Sequence, residues 1–218
     1  MTTLAIDCSG KILNTALAAD GRYWELTAEA GFRHGETLMS SVDALCSLAG
    51  IGPKEIELVA VTGGPGSFTG LRIGMATAKG LARGCGCPMK SVPTLDILAA
   101  GRNHWDGIVM PVMDARKGRV YAAAFQNGRR IVEDSDMDLN AFLDALPAGE
   151  KILATGPDAQ VAAGRPGVTV DALHSAGRGR FIMETAWAAL EKDGPDPHDQ
   201  GPVYIRLSEA EEALVKGT

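Results

Sequence analysis

No apolar run in this 218-residue chain approaches the roughly 20 residues of a membrane-spanning helix. Residues 1–7 carry no basic segment and no long apolar core, so no secretory signal is expected. Net positive charge is also missing. The formal charge is -6 and the isoelectric point about 5.2, which leaves no electrostatic footprint for nucleic acid on the chain alone. Cysteine is scarce. Cys8, Cys46, Cys85 and Cys87 form no C-x-x-C, and Cys85-Gly86-Cys87 is only a C-x-C. Free thiols and a cytoplasmic location are therefore expected. The four histidines, His34, His104, His174 and His198, include no pair four residues apart. A helical H-x-x-x-H metal pair is thus missing, and no metal site is expected.

What is present centres on residues 59–84. Val59–Thr62 is a short β-branched apolar run, which predicts a buried strand. The run Gly63-Gly64-Pro65-Gly66-Ser67-Phe68-Thr69-Gly70 breaks it. Leu71, Met75, Ala78 and Ala82 then repeat at helical spacing, with Ser67 or Thr69 as N-cap and Gly84 as the expected stop. The loop admits three readings. Amides at a helix start could cradle a phosphate. A P-loop, however, ends in Gly-Lys-Ser/Thr, and Thr69-Gly70-Leu71 has no lysine. The loop could instead be a tight connection whose glycines take positive φ. Finally, Gly70, Gly74 and Ala78 lie one turn apart and could leave a strip for a second helix. Tight connection plus packing is the preferred reading. Phe68, at the loop tip, is a candidate partner contact.

The remaining pattern is one of repetition. Leu4–Asp7 reads as a strand, followed by strands 14–18 and 23–27 around Asp20-Gly21, a hairpin signal. His34–Leu48 reads as a helix. Its apolar residues, among them Leu38, Met39, Val42 and Cys46, span ~180°, wider than the ~100° that one core needs, so a second contact surface is expected. Met89–Val92 is a strand, and Thr94 is expected to cap a helix to about residue 100. The pattern then restarts. Val109–Asp114 is a strand ending in aspartate, a hairpin turns at Asn127-Gly128, and Ala154-Thr155-Gly156-Pro157 echoes Val61-Thr62-Gly63-Gly64-Pro65. Asp7 and Asp114 are 107 residues apart, as are Gly21 and Gly128. This predicts an internal duplication of three strands, helix, strand, helix, strand, helix. The expected lobes are residues 1–104 and 105–218. The tail from Asp193 to Pro202 reads as loop, and the last residues as a polar end.

A duplicated α/β unit with an aspartate on each first strand is similar to the actin, sugar-kinase and Hsp70-ATPase (ASKHA) fold. Narrower resemblances follow from Ile6-Asp7-Cys8-Ser9, Gly64-Pro65-Gly66-Ser67-Phe68-Thr69-Gly70-Leu71-Arg72-Ile73-Gly74, Pro93-Thr94-Leu95-Asp96, Met113-Asp114-Ala115-Arg116 and Pro202-Val203-Tyr204-Ile205-Arg206. Together they resemble the bacterial TsaB (formerly YeaZ) family over nearly the whole chain. Cys8 stands where that family more often has threonine.

The resemblance implies a non-catalytic subunit. Such a protein pairs with TsaD and the ATPase TsaE in forming N6-threonylcarbamoyladenosine at position 37 of tRNAs that read codons beginning with A. ATP, ADP and metal would be carried by the partners, and tRNA met only through the complex. The implied interface joins the two first-lobe helices to the matching helices of TsaD, with His34, Leu38, Met39, Val42, Cys46, Ser67, Phe68, Gly70, Leu71, Gly74 and Ala78 as its residues. Alone, the chain could form a homodimer through the same surface. No catalytic residue is expected. Asp7, Asp114 and Arg116 would mark a vestigial nucleotide cleft, since in an active member of the fold the aspartates could hold magnesium and phosphate. They could equally cap turns. An autonomous kinase or ATPase of the same fold is the alternative function. A glycoprotease-like metallopeptidase is a weaker one.

Overall fold

Two hairpins with the same turn open the two halves of the molecule. In the computed structural model, which describes residues 1–31, 33–171 and 177–206, β2 (Ile12–Ala19) meets β3 (Arg22–Glu29) around Asp20-Gly21. β7 (Arg119–Gln126) meets β8 (Arg129–Asp138) around Asn127-Gly128. All four turn residues have positive φ, between 51° and 73°. That is the two-residue turn whose twist matches paired strands, and it explains why Asp-Gly and Asn-Gly stand there. His174 and the expected polar end, residues 207–218, lie outside the described residues.

The first sheet adds β1 (Thr3–Asp7), β4 (Leu58–Gly64) and β5 (Met89–Pro93) in the order β3-β2-β1-β4-β5. The second adds β6 (Ile108–Asp114), β9 (Ile152–Thr155) and β10 (Val168–Val170). Read from its hairpin edge it runs β8-β7-β6-β9-β10, the same order. β1 and β6 each pair antiparallel with their hairpin and parallel with the next strand. The fold is α/β, of the duplicated actin and sugar-kinase type.

The helices follow the repeat with one change. α1 (His34–Ala49), α2 (Phe68–Cys85) and α3 (Thr94–Ala99) belong to the first lobe. α4 (Leu139–Asp144) and α5 (Gly179–Asp193) belong to the second half of the chain. Where α2 stands in the first lobe, the second has only the single turn Ala159–Ala162. Two expected caps move. α2 runs through Gly84 and ends at Gly86, whose φ of 79° supplies the left-handed stop. Thr94 is the first residue of α3, and its hydroxyl accepts the Gly64 amide instead.

The expected division at residues 104 and 105 falls in the connection between α3 and β6. Packing does not follow chain order there. α5 lies on the first sheet, with Ile182, Met183 and Ala186 buried against Ala5, Ala16, Leu58, Ala60 and Val92. Gly179 makes this approach feasible, because a Cβ there would collide with the Ala16 side chain. After α5 the chain forms a strap. Asp196 accepts the Ser91 amide and hydroxyl at 2.7 and 2.5 Å and lies 3.2 Å from Lys90. The Val203 amide donates to the Gly63 carbonyl at 2.7 Å. Arg206 then reaches the second lobe, donating to the Ala115 carbonyl at 2.7 Å and lying 3.1 Å from Asp136. The strap fastens both lobes.

Candidate functional site

A cleft of about 650 Å³ separates the lobes. Its walls are the β1–β2 turn (Ser9, Gly10, Lys11), the starts of α1 and α2, the β6–β7 turn and the strap. The turns meet at its base. Gly10 lies against Pro157 and Met113, and Lys11 Nζ is 3.6 Å from Asp158. The glycine loop folds back tightly, as expected, but only Gly64 of its glycines takes positive φ, while Gly66 and Gly70 allow close approach to the Ser9 and Cys8 carbonyls. The Ser67 amide donates to the Ser9 carbonyl at 2.7 Å, and the Ser67 hydroxyl accepts the Gly70 amide at 3.3 Å, capping α2.

The two first-strand aspartates are not equivalent. Asp114 is exposed on the cleft wall, where its carboxylate accepts the Arg116 amide at 2.7 Å. Arg116 also lines the cleft, in the left-handed region with φ 63°. Asp7 is fully buried and does not line the cleft. One of its oxygens accepts the Ser9 amide, the Ser9 hydroxyl and the Thr62 hydroxyl at 2.9, 2.6 and 2.9 Å. The other lies 2.8 Å from the guanidinium of Arg178, a side chain 1% exposed. A carboxylate enclosed and neutralised in this way does not fit a magnesium–phosphate group. The expectation that Asp7 and Asp114 share one nucleotide cleft is therefore corrected. Sequence reading missed Arg178, and no local signal marks it, since Arg180 at the same helix start is exposed beside the Tyr23 ring.

The residues expected at a partner interface mostly face inward. His34, Leu38, Val42 and Cys46 are the buried side of α1, packed on the first sheet. Leu71 is 1% exposed. The strip reading of Gly70, Gly74 and Ala78 is overturned, because all three face the chain's own core. A Cβ on Gly70 would collide with the Cys8 carbonyl, and one on Gly74 would sit 3.2 Å from Cys8 Cβ and 3.7 Å from Val61 Cγ2. Small residues on a helix serve close approach to a sheet as well as to another helix. Phe68 is not a bare loop tip either. It is the first residue of α2, its ring stacks on Tyr204 at 4.6 Å, and Arg72 lies 3.9 Å over it. Of the expected surface, Met39, Ser67 and part of Phe68 remain accessible. Leu48, 61% exposed, joins Met39 on the outside of α1. On α2 the outward residues include Arg72, Ala76, Gly80 and Arg83, with open space around Gly80.

The remaining polar groups are spread out. His104 and His198 are exposed and apart from the cleft. Burial, and secondarily the neighbouring Cys85, pushes the Cys87 thiol up to about 11. Burial and Asp43 likewise raise Cys46.

The model of the family described as TsaD, tRNA N6-adenosine threonylcarbamoyltransferase, matches residues 28–178. A Bacillus subtilis protein described as tRNA threonylcarbamoyladenosine biosynthesis protein TsaB is 34% identical over 97% of this chain and 96% of its own length. The Escherichia coli protein of the same description is 37% identical over 58% of this chain and 55% of its own length. A solved structure described as YeaZ from Pseudomonas aeruginosa superposes with a TM-score of 0.77 at 25% identity, covering 94% of this chain and 99% of that one.

Proposed function

The chain belongs to the TsaB family, related to TsaD, and is a partner subunit in tRNA threonylcarbamoyladenosine biosynthesis; we propose that it serves there as a non-catalytic partner of a TsaD homologue. The observation that carries this reading is the enclosure of Asp7 by Arg178. The position at which an active member of the fold could hold a metal–phosphate is here a buried, internally neutralised pair. Nucleotide, metal and the transfer step then belong to TsaD and to the ATPase TsaE, and the modification falls at position 37 of tRNAs reading codons that begin with A. The complex works in the cytoplasm, and tRNA is met through TsaD.

The contact surface in this reading is the outer side of α1 and α2. It presents Met39, Leu48, Ala76 and Gly80 among charged neighbours such as Asp43 and Arg72, a mixed face whose small residues let a pair of helices lie close. Without TsaD the same face supports a homodimer.

The test is co-purification with a TsaD homologue, together with ATP binding and turnover by the isolated chain. Stable capture without turnover is expected. Micromolar ATP affinity with turnover by the chain alone would establish the kinase alternative instead.

A further inference from the structure

The first-lobe wall of the cleft gathers hydrogen-bonding groups that the chain itself does not use. α1 and α2 both begin on it. Gly31, His34 and the residues from Gly66 to Gly70 line the same cavity. Gly35, in the first turn of α1, packs beside Ile73 of α2. Both helices are long, 16 and 18 residues, and each directs partial positive charge to its start. Backbone bonding in α2 begins with the Leu71 amide on the Ser67 carbonyl, and the Ser67 hydroxyl takes the Gly70 amide. Among the described residues, the Phe68 and Thr69 amides have no acceptor.

His34 supplies a second, independent observation. Its ring is 3% exposed. Nε2 lies 2.8 Å from the Gly10 carbonyl, which can only accept, so Nε2 carries the hydrogen. Nδ1 of the neutral ring is then an acceptor. It is buried and has no partner. Leaving such an atom unmatched is unfavourable, and buried polar groups are seldom left so.

We propose that this wall binds a small anion that carries its own hydrogen-bond donor beside the charged oxygen. The anionic oxygen takes the Phe68 and Thr69 amides, where the helix end favours it. The donor meets His34 Nδ1. A hydrogen phosphate group has both features, and so does a carboxylate flanked by a hydroxyl or ammonium group. Lys11 stands at the rim, where it faces Asp158 at 3.6 Å. The facing carboxylates are already engaged, Asp114 by the Arg116 amide and Asp158 by the Asp114 amide and Lys11.

The experiment is a titration of the full, nitrogen-15-labelled chain with inorganic phosphate and, separately, with L-threonine. It follows the His34 ring nitrogens and the Phe68 and Thr69 amides. At least one probe should move all three together and saturably, and the probe that saturates identifies the kind of anion. His34→Gln keeps a donor toward the Gly10 carbonyl and removes the Nδ1 acceptor. Thr69→Pro removes one amide in a helix turn that tolerates proline. Each should weaken binding at least tenfold while the spectrum stays that of a folded protein. Should either variant unfold, the wild-type titration and the other variant still decide. Absent or linear, unsaturable shifts with both probes would overturn the proposal. So would folded variants that bind as the wild type does.

Discussion

Asp7 and Arg178 stand 171 residues apart in the chain and 2.8 Å apart in the fold, each with a side chain only 1% exposed. Both charges are removed from water, so each depends on the other. Asp7→Asn leaves the guanidinium buried without its counter-ion and should cost about 3–5 kcal/mol. Urea unfolding would measure it. Combining Asp7→Asn with Arg178→Met should lose less than the sum of the two single changes, because a shared interaction is counted once. Additive losses would mean that the pair is not coupled.

Gly74 and Gly80 are about one and two-thirds turns apart on α2 and should respond oppositely to leucine. Gly74→Leu drives a branched side chain toward Cys8 and Val61, and should destabilise the chain by at least about 1–3 kcal/mol. Gly80→Leu meets open space and should leave the melting temperature within a few degrees of wild type. If the outer side of α1 and α2 receives TsaD, Gly80→Leu should nevertheless weaken capture of that partner. A folded Gly80→Leu protein that captures TsaD at wild-type affinity would place the interface elsewhere.

Cys87 should be a slow thiol. Only the thiolate reacts, and burial moves its titration from 9.0 to about 11. At pH 8 the reactive fraction therefore falls about a hundredfold relative to an ordinary cysteine. Alkylation of Cys87 in the intact chain, followed at that residue by mass spectrometry, should keep rising with pH up to about 11. A plateau near pH 9 would contradict the raised value.

The isolated chain should bind tRNA weakly or not at all. Phosphate neutralisation drives such binding, and the net charge is -6. A gel shift at low salt would check this. Tight, salt-sensitive binding would overturn it.

The parts of the fold legible in the sequence were those fixed locally. Asp20-Gly21 and Asn127-Gly128 demand positive φ at both positions, so the hairpins and their common register could be read from four residues. Strand β4 and the cap of α2 by Ser67 were equally local. The fate of Gly74 was not, because helical spacing shows which residues share a face but not whether a sheet or a helix meets it. The Asp7–Arg178 pair was hidden for a similar reason. It exists only because α5 crosses back onto the first sheet, a choice made by packing at Gly179 and Ala16. The breadth of the apolar arc on α1 was visible, and its two sides parted as burial required. Leu38 and Leu45 went inward, while Met39 and Leu48 stayed in solvent.

The return of α5 also sets an order of events during synthesis. The strands β1 to β5 are made first, yet the face of their sheet that carries Ala5, Ala16 and Ala60 has only Ile97 of α3 against it until residues 179–193 emerge from the ribosome. Through that interval Asp7 is an unpaired carboxylate beneath an open sheet. The native packing of the first lobe is therefore complete only once nearly the whole second lobe has been translated.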